Sequence, residues 1–313
     1  MALVEGETGG DPMGEQRWVR SSLRRLSAEL ESQGHQASRM TVRRMLKKLK
    51  YSLKANVKRL SGSPHPDRDR QFEYLQAQKE AYLEAGLPVI SVDTKKKELI
   101  GNFKNAGRGW CRRAEEVNVH DFRQDALGRA VPYGIYDLNN NQAHVYVGNS
   151  ADTPQFAVDA IAMWWKREGQ SAFRGADKIL VMADAGGSNG YRPRLWKQRL
   201  QQQLADRLRL EVTVCHYPTG ASKWNPIEHR LFGPISINWA GKPLRSFETM
   251  LAYIKGTTTE TRLKVKAYLL DGYYEKGVKV SDKQMKALNL ERHDVCPNWN
   301  YTIRPRSIVC APT

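Results

Sequence analysis

The sequence predicts an α/β protein, a mixed sheet flanked by helices, preceded by a small all-helical element. Three observations carry this. Two strongly apolar runs, LPVISV (87–92) and KILVMA (178–183), each lead directly into an aspartate. A hairpin pattern and a helical pattern lie between them, which is the alternation of an α/β sheet. Ahead of both, positive charge is concentrated in a helical stretch that ends at the breaker Ser61-Gly62-Ser63-Pro64-His65-Pro66.

Charge narrows the function class. Lys and Arg number 50 against 33 Asp and Glu, a net charge of +17, and such an excess points to a polyanion, nucleic acid first. Residues 15–70 hold 15 Lys/Arg and 5 Asp/Glu, so the excess is a block suited to docking. The 40% hydrophobic and 27% charged content excludes a mostly disordered chain. No apolar run approaches the roughly 18 residues of a membrane span. The N-terminus lacks the basic and apolar regions of a signal peptide. Cys111, Cys215, Cys296 and Cys310 are scattered without a CxxC pair, which argues against a zinc or disulfide framework and fits a reducing cytoplasm.

Element by element, residues 1–16 are Gly-rich and acidic without periodicity and read as a disordered segment. Residues 17–62 read as a helix-turn-helix domain. Ser21 or Ser22 caps a helix to about Gln33, with Leu23, Leu26 and Leu30 on one face and Gly34 at its end. Ser38 caps a second helix to about Lys50 with Val42, Met45, Leu46 and Leu49 inward. Its other face offers Arg39, Arg43, Arg44, Lys47 and Lys48 to DNA. Residues 63–313 form the second domain. A helix spans about Asp69–Ala85; strands follow at Leu87–Val92, Val131–Leu138 and Ala143–Val147. The turn Asn139-Asn140-Asn141 joins the last two. Thr153-Pro154 opens a helix with Phe156, Ala157, Ala160, Ile161, Trp164 and Trp165 on one side. Then come the strand Lys178–Ala183, a Gly-rich turn, a helix at about Pro193–Leu208, the strand Leu210–Cys215 and a helix from about Pro226. Pro234 lies eight residues into that last helix and is expected to kink or end it.

Asp93 and Asp184 stand at strand ends, where open α/β sheets build their sites. Glu228, in SKWNPIEHRLF, is the third acid. Asn225, Pro226 and Glu228 also fit a helix N-cap, N1 and N3 set, and the two readings are compatible. Two Asp and one Glu suit phosphoryl transfer with two hard divalent ions, Mg²⁺ with Mn²⁺ as the alternative. Three clustered carboxylates would repel one another without metal. Lys95 and Lys97, within Lys95-Lys96-Lys97, and Lys223 are candidate phosphate contacts; Trp224 suits either stacking on a base or packing beneath the helix. Gly186–Gly190 could let a phosphate backbone approach. His216 and His229 read as structural groups.

The order strand-Asp, hairpin, helix, strand-Asp, helix, helix-borne Glu is the ribonuclease H-like arrangement. The stretches SVDTKKKELIGNFKNAGRGW, VHDFRQDALGRAVPYGIYDL, DAGGSNGYRPRLWK, GASKWNPIEHRLF and WNYTI resemble the DDE transposases of the Rhodopirellula-type, or ISAzo-type, insertion-sequence family. The resemblance runs from about Arg17 to Ile303. It implies Asp93, Asp184 and Glu228 as the DDE triad and metal ligands, spaced 91 and 44 residues apart; NPIE is also similar to mariner-like transposases. Ala185 stands where the family typically has Gly, and other members carry more N-terminal sequence, so a shortened reading frame is expected. The implied activity is metal-dependent cleavage of element ends and strand transfer. The implied partners are double-stranded DNA, as terminal inverted repeats and target, and a second copy of the chain, at least a homodimer. The implied setting is the cytoplasm, at the nucleoid. A structure-selective nuclease on the same fold and a non-catalytic DNA-binding protein stay open as rivals.

Overall fold

A computed structural model describes residues 8–10, 17–19, 21–53, 65–109, 111–221 and 224–307. The chain divides into two compact units, residues 1–61 and 62–313.

In the first unit, β1 (Thr8–Gly10) pairs antiparallel with β2 (Arg17–Val19). The rest of the segment expected to be disordered, residues 1–7 and 11–16, lies outside the described residues, as does the breaker at 61–64. Helices α1 (Leu23–Ser32) and α2 (Arg39–Lys48) begin where their caps are: Ser22 Oγ accepts from Arg25 N–H and Ser38 Oγ from Thr41 N–H, each at 3.2 Å. Gly34, at φ +82°, turns the chain between them. The two helices pack together and bury Leu26 and Val42, while Met45 and Leu49 are exposed.

The second unit begins with α3 (Arg68–Glu84) and is built on one mixed sheet. Its strands are β3 (Val89–Thr94), β4 (Glu98–Ile100), β5 (Gly128–Asp137), β6 (Gln142–Gly148), β7 (Lys178–Ala183), β8 (Glu211–His216), β9 (Lys264–Leu270), β10 (Leu290–Arg292) and β11 (Asn300–Ile303). The spatial order is β10-β11-β8-β7-β3-β5-β6-β9, with β4 on β5. β3, β7 and β8 run parallel and β5 antiparallel between β3 and β6. This central order, with the second strand reversed, is the ribonuclease H-like topology that the sequence pattern predicts.

One face is covered by α4 (Pro154–Trp164), extended by a π turn (Trp165–Gly169), and by α5 (Arg194–Arg199), extended by a π turn (Leu200–Asp206). Phe156, Ile161, Trp164, Trp196 and Leu200 are buried there against Ile90, Val92, Tyr133 and Val181. The other face carries two groups. α3 buries Leu75 with Val89, Leu180 and Met182. A helical run from Pro226, through a π turn (Glu228–Phe232) into α6 (Gly233–Asn238), packs with α7 (Phe247–Lys255) over β5, β6 and β9. The last helix among the described residues is α8 (Asp282–Lys286).

Pro234 does not end its helix. The π turn precedes it, with Gly233 N–H bonded to Glu228 C=O five residues back. The widened turn accommodates the pyrrolidine, and the helix continues to Asn238.

Candidate active site

The chain leaves β3 toward β5 on one side and returns through β7 on the other, so the C-terminal ends of β3 and β7 form a switch point. Val92 pairs with Ala183 across these parallel strands. Asp93 and Asp184, each one residue further on, therefore lie at the same level. Both line a cleft of about 360 Å³ together with Thr94, Lys96, Asp152 and Gly187.

The Asp93 carboxyl is pushed well above the ordinary carboxylate range, by burial first and then by the Asp184 charge; the Thr94 N–H, 2.7 Å from Oδ1, pulls it partly back. Asp184 is also raised by burial, and a hydrogen bond from Asn225 opposes this. Glu228 is half-buried at the start of the π turn and is raised by burial and then by Asp184, with His229 and Lys95 opposing. Glu228 thus lies within the field of the other two but not on the cleft wall. Among the described residues, no three His, Cys, Asp or Glu side chains are close enough to hold one ion.

Steric detail explains how the Glu228 helix reaches the site. Gly134 on β5 pairs with Asp93. A Cβ at Gly134 would lie 2.6 Å from the Phe232 ring and 2.8 Å from the Ile227 side chain. The missing side chain lets the helix settle onto the sheet beside Asp93. Beyond Asp184, the turn closes on Gly190, where a Cβ would stand 2.8 Å from Ala185 O.

A second layer fixes Asp184. Its backbone carbonyl lies 3.0 Å from His216 Nδ1. His216 Nε2 is 3.1 Å from Tyr301 Oη, and Trp196 Nε1 donates to that same oxygen at 2.9 Å. A carbonyl only accepts, so His216 donates from Nδ1 to Asp184, and the Nε2 of the neutral ring accepts the single phenol proton. Burial lowers the His216 pKa to about 3, so the ring is neutral. The pattern NYTI thereby supports the site from β11.

The Lys run divides. Lys95 is buried, its Nζ 3.4 Å from Glu98 and 4.7 Å above the Trp239 ring. Burial lowers its pKa, and it also lines the cleft beside Asp93 and Asp184. Lys97 is partly exposed and pairs with Asp152 at 3.0 Å, and Asp152 accepts from Thr94 Oγ1 at 3.2 Å. Lys223 lies outside the described residues. Arg39, Arg43, Arg44, Lys47 and Lys48 are all exposed on α2. Trp224 is not core: it is 43% exposed, beside Phe72 and with the Arg68 guanidinium 4.7 Å from its ring.

Sequence reasoning missed Ser91 and read Asn225 as a cap. Both are fully buried, and Asn225 Nδ2 donates to Asp184 Oδ1 at 2.9 Å while its Oδ1 accepts from Ser91 Oγ. A lone hydroxyl within the apolar run LPVISV was the available signal.

A ribonuclease H-like sheet with acids converging on its switch point defines the class: a nucleic-acid-processing α/β enzyme. The chain belongs to the Rhodopirellula transposase DDE domain family, which matches residues 1–305. It is a DDE transposase, a DNA-binding enzyme whose chemistry uses divalent metal. A comparison with curated proteins finds no match. Among solved structures, the chain is similar to the Mos1 transposase paired-end complex with left transposon end (14% identity, 78% of this chain and 73% of that one, TM-score 0.43). It is also similar to the Mos1 strand transfer complex (14%, 78% and 72%, TM-score 0.44) and the Mos1 mariner paired-end complex with Mn (12%, 78% and 73%, TM-score 0.44). No helix among the described residues is long and apolar enough to cross a membrane.

Proposed function

We propose that Asp93, Asp184 and Glu228 are the catalytic acids of an insertion-sequence transposase that cuts its element's ends and joins them to target DNA. The observation that carries this is the level pairing of Asp93 and Asp184 at the switch point, both partly buried and both raised. A partly buried pair of this kind calls for compensating positive charge, and its all-oxygen donors fit a hard divalent cation. Asp93 and Asp184 would hold two Mg²⁺ or Mn²⁺ ions, with Glu228 as the third acid. Bound there, such ions would supply Lewis-acid activation of the attacking oxygen and charge relief at the leaving oxygen.

The chain's own residues do the rest. β3 and the end of β7 hold two carboxylates in one orientation. His216 and Asn225 immobilise Asp184 by main chain and side chain. The cleft stays open enough to admit a phosphodiester, first for attack by water and then for attack on target DNA by the freed 3′-hydroxyl. The exposed basic face of α2 supports end binding by a helix-turn-helix made of α1 and α2. Lys97 and Lys223 are proposed phosphate contacts nearer the chemistry. Two ends brought together imply at least a homodimer acting on terminal inverted repeats, in the cytoplasm at the nucleoid.

The test is Mg²⁺-dependent cleavage of a duplex carrying the ends of the encoding element, by the parent and by Asp93→Asn, Asp184→Asn and Glu228→Gln. Loss of cleavage with DNA binding retained is expected in all three. Cut but never joined products would favour a nuclease; binding without cleavage by the parent would favour a non-catalytic protein.

A further inference from the structure

We propose that Asn225 is a positioning residue, tying Asp184, β3 and the Glu228 helix into one unit through Ser91. This rests on reading Asp184 as a metal-holding acid. An ionised carboxylate only accepts hydrogen bonds, so the group 2.9 Å from Asp184 Oδ1 must be the amide NH₂ of Asn225. The Asn225 oxygen then faces Ser91, whose hydroxyl must donate to it. With its one proton committed, Ser91 Oγ accepts the N–H of Ile227 at 3.3 Å. Each assignment forces the next, so the direction of the chain is fixed: Ile227 N–H to Ser91, Ser91 to Asn225, Asn225 to Asp184.

The two ends of this chain are informative. One is the backbone of the residue immediately before Glu228. The other is the carboxylate at the end of β7. Ser91, midway, stands two residues before Asp93 on β3. Ser91, Asn225 and Ile227 are all fully buried, so no water competes for these bonds. A mere helix cap would turn its side chain to the first free N–H groups of the helix. Here Ile227 N–H goes to Ser91, and Glu228 N–H goes to the backbone carbonyl of Asn225 at 3.1 Å. The Asn225 side chain is spent on Asp184, holding Oδ1 and thereby fixing where Oδ2 points. Partners that orient a ligating carboxylate typically change metal affinity or activity by about 10–100-fold when removed.

The experiment uses the full chain and Mn²⁺ as the probe, with binding followed by electron paramagnetic resonance. Asn225→Ala, Ser91→Ala, the double variant and Asp184→Asn are compared, with folding checked by circular dichroism. Asn225→Ala should raise the Mn²⁺ dissociation constant by about 10–100-fold, and Ser91→Ala by less. The double variant should resemble Asn225→Ala alone, because the two residues act in one chain. Cleavage should recover substantially at saturating Mn²⁺, and DNA affinity should stay unchanged. Parent-like Mn²⁺ binding by Asn225→Ala, or multiplicative effects in the double variant, would overturn the proposal. Unfolding of both single variants would do so as well, by making the pair a folding element. Asp184→Asn separates the two levels. If it keeps parent-like Mn²⁺ affinity, the metal-holding reading of Asp184 fails. If it loses affinity while Asn225→Ala keeps it, only the positioning role fails.

Discussion

Asp93 and Asp184 extend two neighbouring parallel strands by one residue beyond the paired Val92 and Ala183, which sets two partly buried acids at one level with lysines around them. Each raises the cost of ionising this corner of the sheet. Asp93→Asn should therefore be at least as stable as the parent at neutral pH without metal. Mn²⁺ should stabilise the parent by about 2.7 kcal/mol at a hundred times its dissociation constant and the variant by far less. Melting curves with and without Mn²⁺ check this; an equal shift in both proteins sinks the metal assignment of Asp93.

Gly134 gives a steric prediction. Gly134→Ala places a methyl within 3 Å of Phe232 and Ile227, and relieving that overlap should cost about 1–3 kcal/mol. The displaced element is the helix that starts with Glu228, so cleavage should fall while DNA affinity holds. A variant that melts and cleaves like the parent would show that this close packing is unnecessary.

Much of this architecture was legible because its strands are nearly pure apolar runs bounded by breakers. β3, β5, β6 and β7 all lie within a few residues of where VISV, the Asn139–Asn141 turn and KILVMA put them. Ser22, Ser38 and Thr153 cap helices as their residue types suggest. The edge strand β9 was not read, because KVKAYLL is exposed on alternate residues at one end and apolar at the other. The π turns have no local signature. Asn225 was misread because N-P-x-E is equally good for a cap, and only Ser91, far away in sequence, decides where the amide goes. The protein partners of Lys95 were not legible for the same reason: a Lys run looks solvated until Trp239, 144 residues on, covers it.

The basic residues should separate by location. Reversing Arg43, Arg44 and Lys47 to Glu should weaken duplex binding strongly and flatten its dependence on salt by about three phosphate equivalents or more. Lys95→Met should leave affinity and salt slope unchanged, since that ammonium is already held by Glu98 and Trp239. Binding titrations at several salt concentrations discriminate. A large loss from Lys95→Met would mean that Lys95 turns outward to meet DNA.

His144 supplies a pH-dependent test remote from the acids. It sits on β6, 2% exposed, and among the described residues neither ring nitrogen has a hydrogen-bond partner. Glu168 is 3.9 Å away, and the Trp164 ring centre is 6.4 Å away. Burial lowers its pKa to about 4, with the Glu168 charge opposing and the Lys266 charge assisting. The unfolded chain protonates His144 near pH 6.5, and the folded chain only near pH 4. Above about 6.5 both states are neutral there, and the contribution to stability is constant and complete. As pH falls through 6.5, the unfolded state gains a proton that the folded state refuses, so stability declines, by about 3 kcal/mol once pH 4 is passed. His216 is depressed in the same direction, so the parent alone does not isolate His144. His144→Phe keeps the ring volume and removes the titrating group. The stability difference between variant and parent should shift in the variant's favour by about 2 kcal/mol between pH 7.5 and pH 5. Urea unfolding at the two pH values measures it, and a pH-independent difference would show that His144 protonates in the folded protein as readily as in the unfolded chain.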